Sequence, residues 1–509
     1  MAITKRNLQK YCSIVGAHFI GCPLSFVWIY GNLSAYTDSY FRFACYPKCT
    51  DWDPQWLLSL YVAGLFPGYF MVKPMEKRFG FTWTGIIAMV MVNAALLGSA
   101  WSLKVSIILT AVMYGALLGT GAGISSSLTI QVVSGWAPER AAVLVATTSG
   151  MASMLSVIQN QIITAFVNRN NLKPDANIGP KAYFSQSEVL DHVPGILIIY
   201  GTMTIGMQII GYLLITDPYR ASCDSSKEAT EGSTAITKHQ NNEYEELGAR
   251  DQSKKHYGSN SRGSNCMDLL DVSNCSNDDH YGRSNVETIE KNEGTKKKKD
   301  EIYSYTPREV LRSPVFYAVC FFGIAIEYGI LLKSNFYKKF ALLYIHNDKY
   351  LTLVGTLVPI ISTGSRIFFG TLMDKHILSL KDVTIIGLSL NCVLCAFWFI
   401  SARLNAILYM FLVLGLAAAQ SLAYVVLPTA ALRLFGPAHL STNYGLVASC
   451  MLISSILSPL ISSPLLYTFG WQWVFITGSV FNLLVLCYVT VTNFKTQVQG
   501  TSLKNQDGT

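Results

Sequence analysis

Runs of about twenty predominantly apolar residues recur twelve times along this 509-residue chain, and each is long enough to cross the ~30 Å hydrocarbon core of a bilayer as a helix. A backbone inside hydrocarbon finds no water to bond, so runs of this length satisfy their amides internally as α-helices. They fall near 12–35, 55–75, 83–101, 105–132, 141–167 and 193–216, then 314–335, 350–373, 383–402, 405–432, 443–468 and 471–493. Only 14% of residues are charged, against about 25% in soluble domains. The net charge of +8 reads as Lys and Arg flanking the spans, with no basic face organised for nucleic acid. The first run follows Lys5, Arg6 and Lys10. It is too long for a signal-peptide core and lacks a small-residue cleavage site, so it stays as the first helix.

Charge asymmetry sets the orientation. Lys5, Arg6 and Lys10 precede span 1, Lys77 and Arg78 follow span 2, and Lys296 to Lys299, Arg308 and Arg312 lead into span 7. All lie on one side of an even-numbered set of spans, which the positive-inside rule makes cytoplasmic. Arg42, Lys48, Arg169, Lys173, Lys338, Lys339 and Lys349 count against it on the other side. Both termini are therefore expected inside, in a multi-pass protein of the plasma membrane.

Four segments are expected: a first six-helix half at 1–216, a linker at 217–312, a second half at 313–494 and a cytoplasmic tail at 495–509. The linker is rich in Asn, Ser, Asp, Glu, Lys and Gly and poor in aromatics, a composition that cannot bury enough surface to fold alone. It reads as a passive tether, with four consecutive lysines before Asp300 placed to touch acidic headgroups.

The halves repeat. Span 2 exits as Met75-Glu76-Lys77-Arg78 and span 8 as Met373-Asp374-Lys375-His376, 298 residues later. Span 4 runs into Gly135-Trp136-Ala137-Pro138-Glu139-Arg140, and span 10 into Leu434-Phe435-Gly436-Pro437-Ala438-His439, 299 residues later. Two landmarks at nearly one offset argue for duplicated halves in parallel orientation with the site between them. The charged turns, namely Glu76, Lys77, Arg78, Glu139, Arg140, Asp374 and Lys375, are candidate gating groups. Simple snorkelling charges are the alternative.

Arg366 lies mid-span at 350–373. A guanidinium keeps its proton and costs about 2.5–3.5 kcal/mol on insertion scales, so intramembrane examples face a bundle interior or a water-filled path. Its neighbours at helical spacing are Ser362, Thr363 and Gly370, with Gly355 and Pro359 further back. That face is small and polar, so Arg366 points into protein and an anion site is the preferred reading. An Arg that snorkels or neutralises one carboxylate is the bland one.

At these residues the chain resembles the major facilitator superfamily, and within it the branch of monocarboxylate transporters and oxalate/formate antiporters. Ser365 to Asp374 is similar to the R-(I/P)-x-x-G-x-x-x-D pattern of span 8. Trp136-Ala137-Pro138-Glu139-Arg140 is similar to the turn after span 4, and Leu434 to Pro437 with Thr442 to Leu446 resembles the turn into span 11. The resemblance implies an all-α membrane fold of twelve helices in two pseudo-symmetric six-helix halves, a secondary transporter, and contact between Arg366 and a substrate carboxylate. Two departures stand out. Ser362 occupies the place of a proton-binding Asp found in many relatives, and neither 12–35 nor 443–468 holds a Lys or Arg to serve as a second cation. One fixed positive centre suits one carboxylate better than a compact dicarboxylate.

Glu327, deep in span 7, is the other ionisable group in the bilayer. Burial disfavours its charge and a nearby cation favours it, so it is a proton-coupling candidate if its distance to Arg366 changes. Permanent pairing with Arg366 or Lys333 is the alternative. His18 in span 1 is a second proton candidate, and a packing residue otherwise. Gln420 and Tyr424, four apart in span 10, are candidate substrate contacts on one helix face. Trp28, Tyr30, Gln131, Gln159, Asn443 and Tyr444 are further polar or aromatic residues within the spans.

Gly119-Thr120-Gly121-Ala122-Gly123 lies inside a span and serves helix packing, with no strand or Lys to make a phosphate loop. Cys45 and Cys49 flank three residues of an outside loop and could be bridged. Neither a nucleophile–base pair nor a metal-ligand cluster occurs within a span, so no enzyme, cofactor or metal is expected. The expected function is alternating-access transport of a small organic monocarboxylate, from lactate, pyruvate or formate up to a pantothenate-like acid, with a proton as coupling ion. A superfamily carrier for another metabolite, vitamin or drug, or a non-transporting sensor of the same fold, is the alternative.

Overall fold

The computed structural model describes residues 5–45, 53–137, 141–217, 304–436, 439–492 and 494. Among them eleven helices are long and apolar enough to cross a membrane. One of these, Gln55–Ser102, runs 48 residues, about 72 Å at 1.5 Å per residue and more than twice a hydrocarbon core. It breaks at Gly80, whose φ of 79° and ψ of 168° are non-helical and which only glycine adopts without strain. That break divides it into two spans and makes the count twelve, as the apolar runs predict.

The spans are α1 (Arg6–Phe43), α2 (55–79), α3 (81–102), α4 (Ile107–Trp136), α5 (Ala141–Val167), α6 (Ser187–Leu214), α7 (Pro314–Ala341), α8 (Asp348–Asp374), α9 (Leu380–Leu404), α10 (Ala406–Phe435), α11 (Leu440–Phe469) and α12 (Trp471–Val491). The internal repeat is visible in their ends. Both ends of α10 lie 299 positions after those of α4, and α11 begins 299 positions after α5. The offset falls furthest short at α6, where a hairpin of β1 (Ala176–Ile178) and β2 (Lys181–Tyr183) is inserted before the helix.

Three helices depart from ideal geometry where the site lies. Pro23 has no amide to donate, and α1 passes through a 3-10 turn at Cys22–Ser25 before it resumes at Phe26. A π-helical stretch, Ala111–Leu117, interrupts α4. In the second half α10 is interrupted between Gln420 and Ala423. By contrast α7 is continuous, and every residue from Phe322 to Ala341 is buried. A helix apolar all round takes the centre of a bundle, yet this one carries Glu327, Lys333, Lys338 and Lys339 inward.

Large apolar side chains are exposed on the outer helices, among them Phe70, Trp83, Leu213, Phe411, Leu484 and Val491. In water such a surface would aggregate, and in a bilayer it is solvated. The described residues of Met1–Ile215 and of Ile302–Thr509 form one compact helical unit. Residues 304–312 belong to the helical unit and not to a tether as expected. Thr306 and Glu309 form a capping box on Pro307–Val310, the Tyr305 amide donates to the Phe435 carbonyl at 2.8 Å, and Asn443 donates to the Tyr305 carbonyl at 3.0 Å. Cys45 is disulfide-bonded, while Cys49 lies outside the described residues.

Candidate functional site

Asn347 starts α8 by accepting the Tyr350 amide at 3.1 Å, so the helix runs unfrayed from Asp348. Further along, Ser362 and Ser365 donate to the carbonyls of Ala417 and Ala418 at 3.3 and 3.0 Å, fixing α8 against α10 just before the latter breaks. These two bonds set the rotation of α8 and turn Arg366 toward the other half. Its Nε donates to the Ser362 carbonyl at 3.2 Å, and its Nη2 reaches Ser153 of α5 at 3.1 Å. The guanidinium lies over two rings, Tyr424 at 5.4 Å and Trp28 at 5.6 Å, which are themselves 6.3 Å apart. Among the described residues Arg366 has no carboxylate partner within ion-pair distance. Cation–π contacts contribute about 0.5–2 kcal/mol each, too little to replace the counter-charge of a buried cation.

Trp28 carries a second cation, since the Lys333 ammonium stands 5.8 Å from the same ring. This corrects the expectation of a single positive centre. The two charges come from adjacent helices of the second half and meet on an indole from the first. A small pocket beside them is lined by Trp28, Gly31, Lys333, Ser334, Tyr337 and Gly355. Glu327 of the same helix is as buried as Lys333, 3% exposed, and among the described residues its Oε2 has no hydrogen-bond partner. Tyr424 approaches it from α10, Tyr69 from α2 and Cys450 from α11. The cation acting on Glu327 is Lys333, one of the two partners expected for it.

Other expected contacts fall elsewhere. Gln420 and Tyr424 of α10 engage different partners: the Tyr424 ring lies under Arg366, while Gln420 bonds within the second half. It is buried and donates to Asn391 of α9 at 3.2 Å, and Asn391 in turn donates to Asn482 of α12 at 3.1 Å. Such a chain of amides holds three helices of one half together. His18 bonds the Ile14 carbonyl at 2.7 Å and the Thr147 hydroxyl at 3.3 Å, tying α1 to α5. Tyr30 donates to the Pro54 carbonyl at 2.7 Å. Among the gating candidates, Asp374 pairs at 3.0 Å with Arg433 of α10, a residue the sequence reading did not single out. Arg78 covers the Phe79 ring at 5.5 Å, Glu76 and Lys77 are both engaged, and Lys375 is exposed. Glu139 and Arg140 lie outside the described residues.

A second polar assembly closes the face opposite the termini. Asp348, in the first turn of α8, takes a 2.6 Å ion pair from Lys338 of α7, a 2.9 Å bond from Asn168, and a short bond from Tyr36. Lys338 also donates to Asn32 at 2.6 Å and Tyr36 at 2.9 Å, both in α1. Lys339 pairs with Asp38 of α1 at 2.9 Å, and Lys181 of β2 pairs with the same carboxylate at 3.3 Å and with Asp53 at 3.9 Å. Burial opposes the Lys181 ammonium, but Asp53 and Asp38 outweigh it and hold its pKa well above the usual lysine value. Burial likewise opposes the Asp53 carboxylate, yet Lys181, Ser463 and Lys339 hold its pKa below the usual range. Thr164 meets Thr352 at 2.6 Å, Ser462 donates to Gln55 at 2.7 Å, and Ser463 to Asp53 at 2.6 Å. Packing is close just beneath: a side chain added at Gly31 or Gly355 would strike the Tyr337 ring or hydroxyl, whereas at Gly364, Gly370 or Gly445, toward the terminal face, it would meet nothing among the described residues.

Twelve helices in two repeats of six, closed at one face over a charged central site, define a polytopic helical membrane protein. Residues 341–504 match the family model described as Major Facilitator Superfamily. The fold is that of this superfamily. A solved structure of a D-xylose-proton symporter superposes with a TM-score of 0.62 at 12% identity, covering 96% of this chain and 98% of that one. The partially occluded inward open xylose transporter XylE from E. coli gives 0.60 at 12% identity, with 95% and 100% covered. No curated protein sequence matches the chain. These likenesses bear out the all-α fold of the superfamily; the monocarboxylate branch draws no support from them.

Proposed function

We propose that this chain is a secondary transporter that carries a small organic monocarboxylate, with a proton, by rocking its two halves about the central site. The observation that supports it is Arg366: a cation that cannot deprotonate, two-thirds of the way along a membrane helix, bonded across to the other half and without a carboxylate partner among the described residues. A ligand carboxylate would complete its two-donor fork and relieve the cost of an uncompensated buried charge. The xylose named for the fold neighbours is neutral and would leave Arg366 and Lys333 uncompensated, so a sugar fits this site less well. Closure opposite the termini corresponds to the resting half of an alternating-access cycle. Glu327, with an unpartnered oxygen behind the cations, is the proton carrier in this reading.

Uptake of labelled carboxylates into proteoliposomes under an imposed pH gradient tests it. Arg366→Gln removes charge and fork and should reduce uptake to background. Arg366→Lys keeps the charge and should lose roughly ten- to a hundredfold, the equivalent of about 1.5–3 kcal/mol for a charge-assisted hydrogen bond. Both variants should reach the membrane at native levels. Normal uptake by Arg366→Gln would reject the carboxylate site.

A further inference from the structure

The small pocket beside Trp28 leads away from Arg366 toward the closed face, and Tyr337 with Gly355 lies at its far end. The Tyr337 ring is seated between two glycines, Gly31 of α1 and Gly355 of α8, since a side chain added at either would strike it. The two glycines make room for ring and hydroxyl alike. Yet that hydroxyl is buried, and among the described residues it has no hydrogen-bond partner. Buried side-chain polar atoms rarely go without one, and a phenylalanine would fill the same slot without stranding an oxygen.

The imbalance recurs on the other side of Gly355. Asn160 of α5 donates to the Gly355 carbonyl at 3.4 Å, while its own Oδ1 is buried without a partner among the described residues. Two unsatisfied groups, one from each half, therefore flank a single glycine. The phenol can donate and the amide oxygen can accept. A hydroxyl is the smallest group that meets both needs.

The distance to Arg366 sets how far from a carboxylate that hydroxyl must be. The Arg366 side chain leans back along α8, with its Nε on the Ser362 carbonyl. From Ser362 to Gly355 is seven positions, ~10 Å of helix rise. A hydrogen bond at each end takes ~3 Å of that. The remaining ~4–5 Å needs about four to five bonds of extended chain, at ~3.5 Å for every three bonds, and any sideways offset lengthens the path. Formate has no second functional group, and lactate and pyruvate carry theirs on the carbon next to the carboxylate, which is too close.

Resting on the carboxylate reading of Arg366, we propose that this pocket is a second subsite, which selects elongated monocarboxylates bearing a hydroxyl on the fourth carbon or beyond, with Tyr337 as the specificity-determining residue. The carboxylate binds Arg366, the chain passes Trp28, and the far hydroxyl accepts from Tyr337 and donates to Asn160. Because Asn160 belongs to the first half and Tyr337 to the second, such a tail bridges both.

The test is equilibrium binding to the purified full-length chain of 4-hydroxybutanoate and 6-hydroxyhexanoate, their 2-hydroxy isomers, and the parent butanoate and hexanoate. The native chain should bind at least one of the terminal hydroxy acids three- to tenfold more tightly than its parent, the range for one neutral hydrogen bond. The 2-hydroxy isomers should bind no better than the parents. Tyr337→Phe keeps the ring in its slot and should bring the ratio of terminal hydroxy acid to parent down to about one. A hydroxyl that serves packing or a bound water would shift all six acids alike and leave that ratio at its native value, which overturns the subsite. So does a native chain with no preference for the terminal hydroxy acids. If Arg366→Gln still abolishes binding of the parent acids in either case, the carboxylate site stands and only the tail subsite falls. Native binding of the parents by Arg366→Gln, or no binding of any of the six acids by the native chain, removes both.

Discussion

Among single residues, Glu327 carries the sharpest consequence of the site. Glu327→Gln imitates the protonated carboxyl permanently. Uptake driven by a pH gradient should collapse in that variant, because the return step needs Glu327 to shed its proton. Exchange of labelled for unlabelled substrate at uniform pH should survive, since exchange needs no deprotonation. Glu327→Asp keeps a carboxyl with shorter reach, and net uptake should persist with an altered pH dependence. Accumulation against a gradient by Glu327→Gln would make the residue structural. Much of this site was readable from sequence because a charge inside an apolar run is conspicuous: Arg366 and Glu327 stand out for that reason alone. Lys333 was visible for the same reason, but only as a partner for Glu327. Its meeting with Arg366 on Trp28 joins α1, α7 and α8, and no local pattern encodes that. Ser153 is one small polar residue among many in α5, with no signal to mark it. The bond from Gln420 to Asn391 of α9 is likewise a long-range pairing that no local spacing encodes.

At the level of elements, α7 decides how the two halves close. The sequence places its end at 335, where the apolar run stops, whereas the helix continues to Ala341. Hydropathy alone thus puts Lys338 and Lys339 outside the helix, yet both are buried in the lock. Long-range pairing with Asp348 and Asp38 makes their burial tolerable, and hydropathy cannot register a partner in another span. Breaking a buried pair by removing one member costs about 3–5 kcal/mol because the other charge is stranded. Asp348→Asn strands Lys338 and should loosen the face opposite the termini. With a cysteine at Ser334 in the pocket, on a background without other free thiols, a membrane-impermeant maleimide applied from that face should react several-fold faster in Asp348→Asn. An unchanged rate would show that this ion pair does not hold the face shut. The Asp374–Arg433 pair, by contrast, is solvent-exposed, and its loss should alter stability by no more than about 1 kcal/mol.

For the whole molecule, the buried lock also changes the argument for orientation. The positive-inside rule counts charges left at the membrane surface when the chain inserts, and the tally from sequence was divided. On the terminal face Arg6, Lys73, Lys77, Arg78, Arg308, Arg312 and Lys375 are exposed. On the opposite face Lys104, Arg169, Lys173, Lys349 and Arg403 are exposed, but Lys338 and Lys339 are neutralised by Asp348 and Asp38 inside the protein. Lys181 of the inserted hairpin is likewise matched by Asp38 and Asp53. With Lys338 and Lys339 taken out of the count and Lys181 not added to it, the terminal face is the more basic one, so both termini should lie in the cytoplasm. The β-hairpin should then face outward, with Asn177 and Ile178 exposed on it. An epitope placed at Asn177–Ile178 should be stained on intact cells, while tags at either terminus or within 225–295 should be stained only after permeabilisation. The reverse pattern would invert the protein in the membrane. The face locked by Asp348 would then be cytoplasmic, and the site would open to the outside in this state.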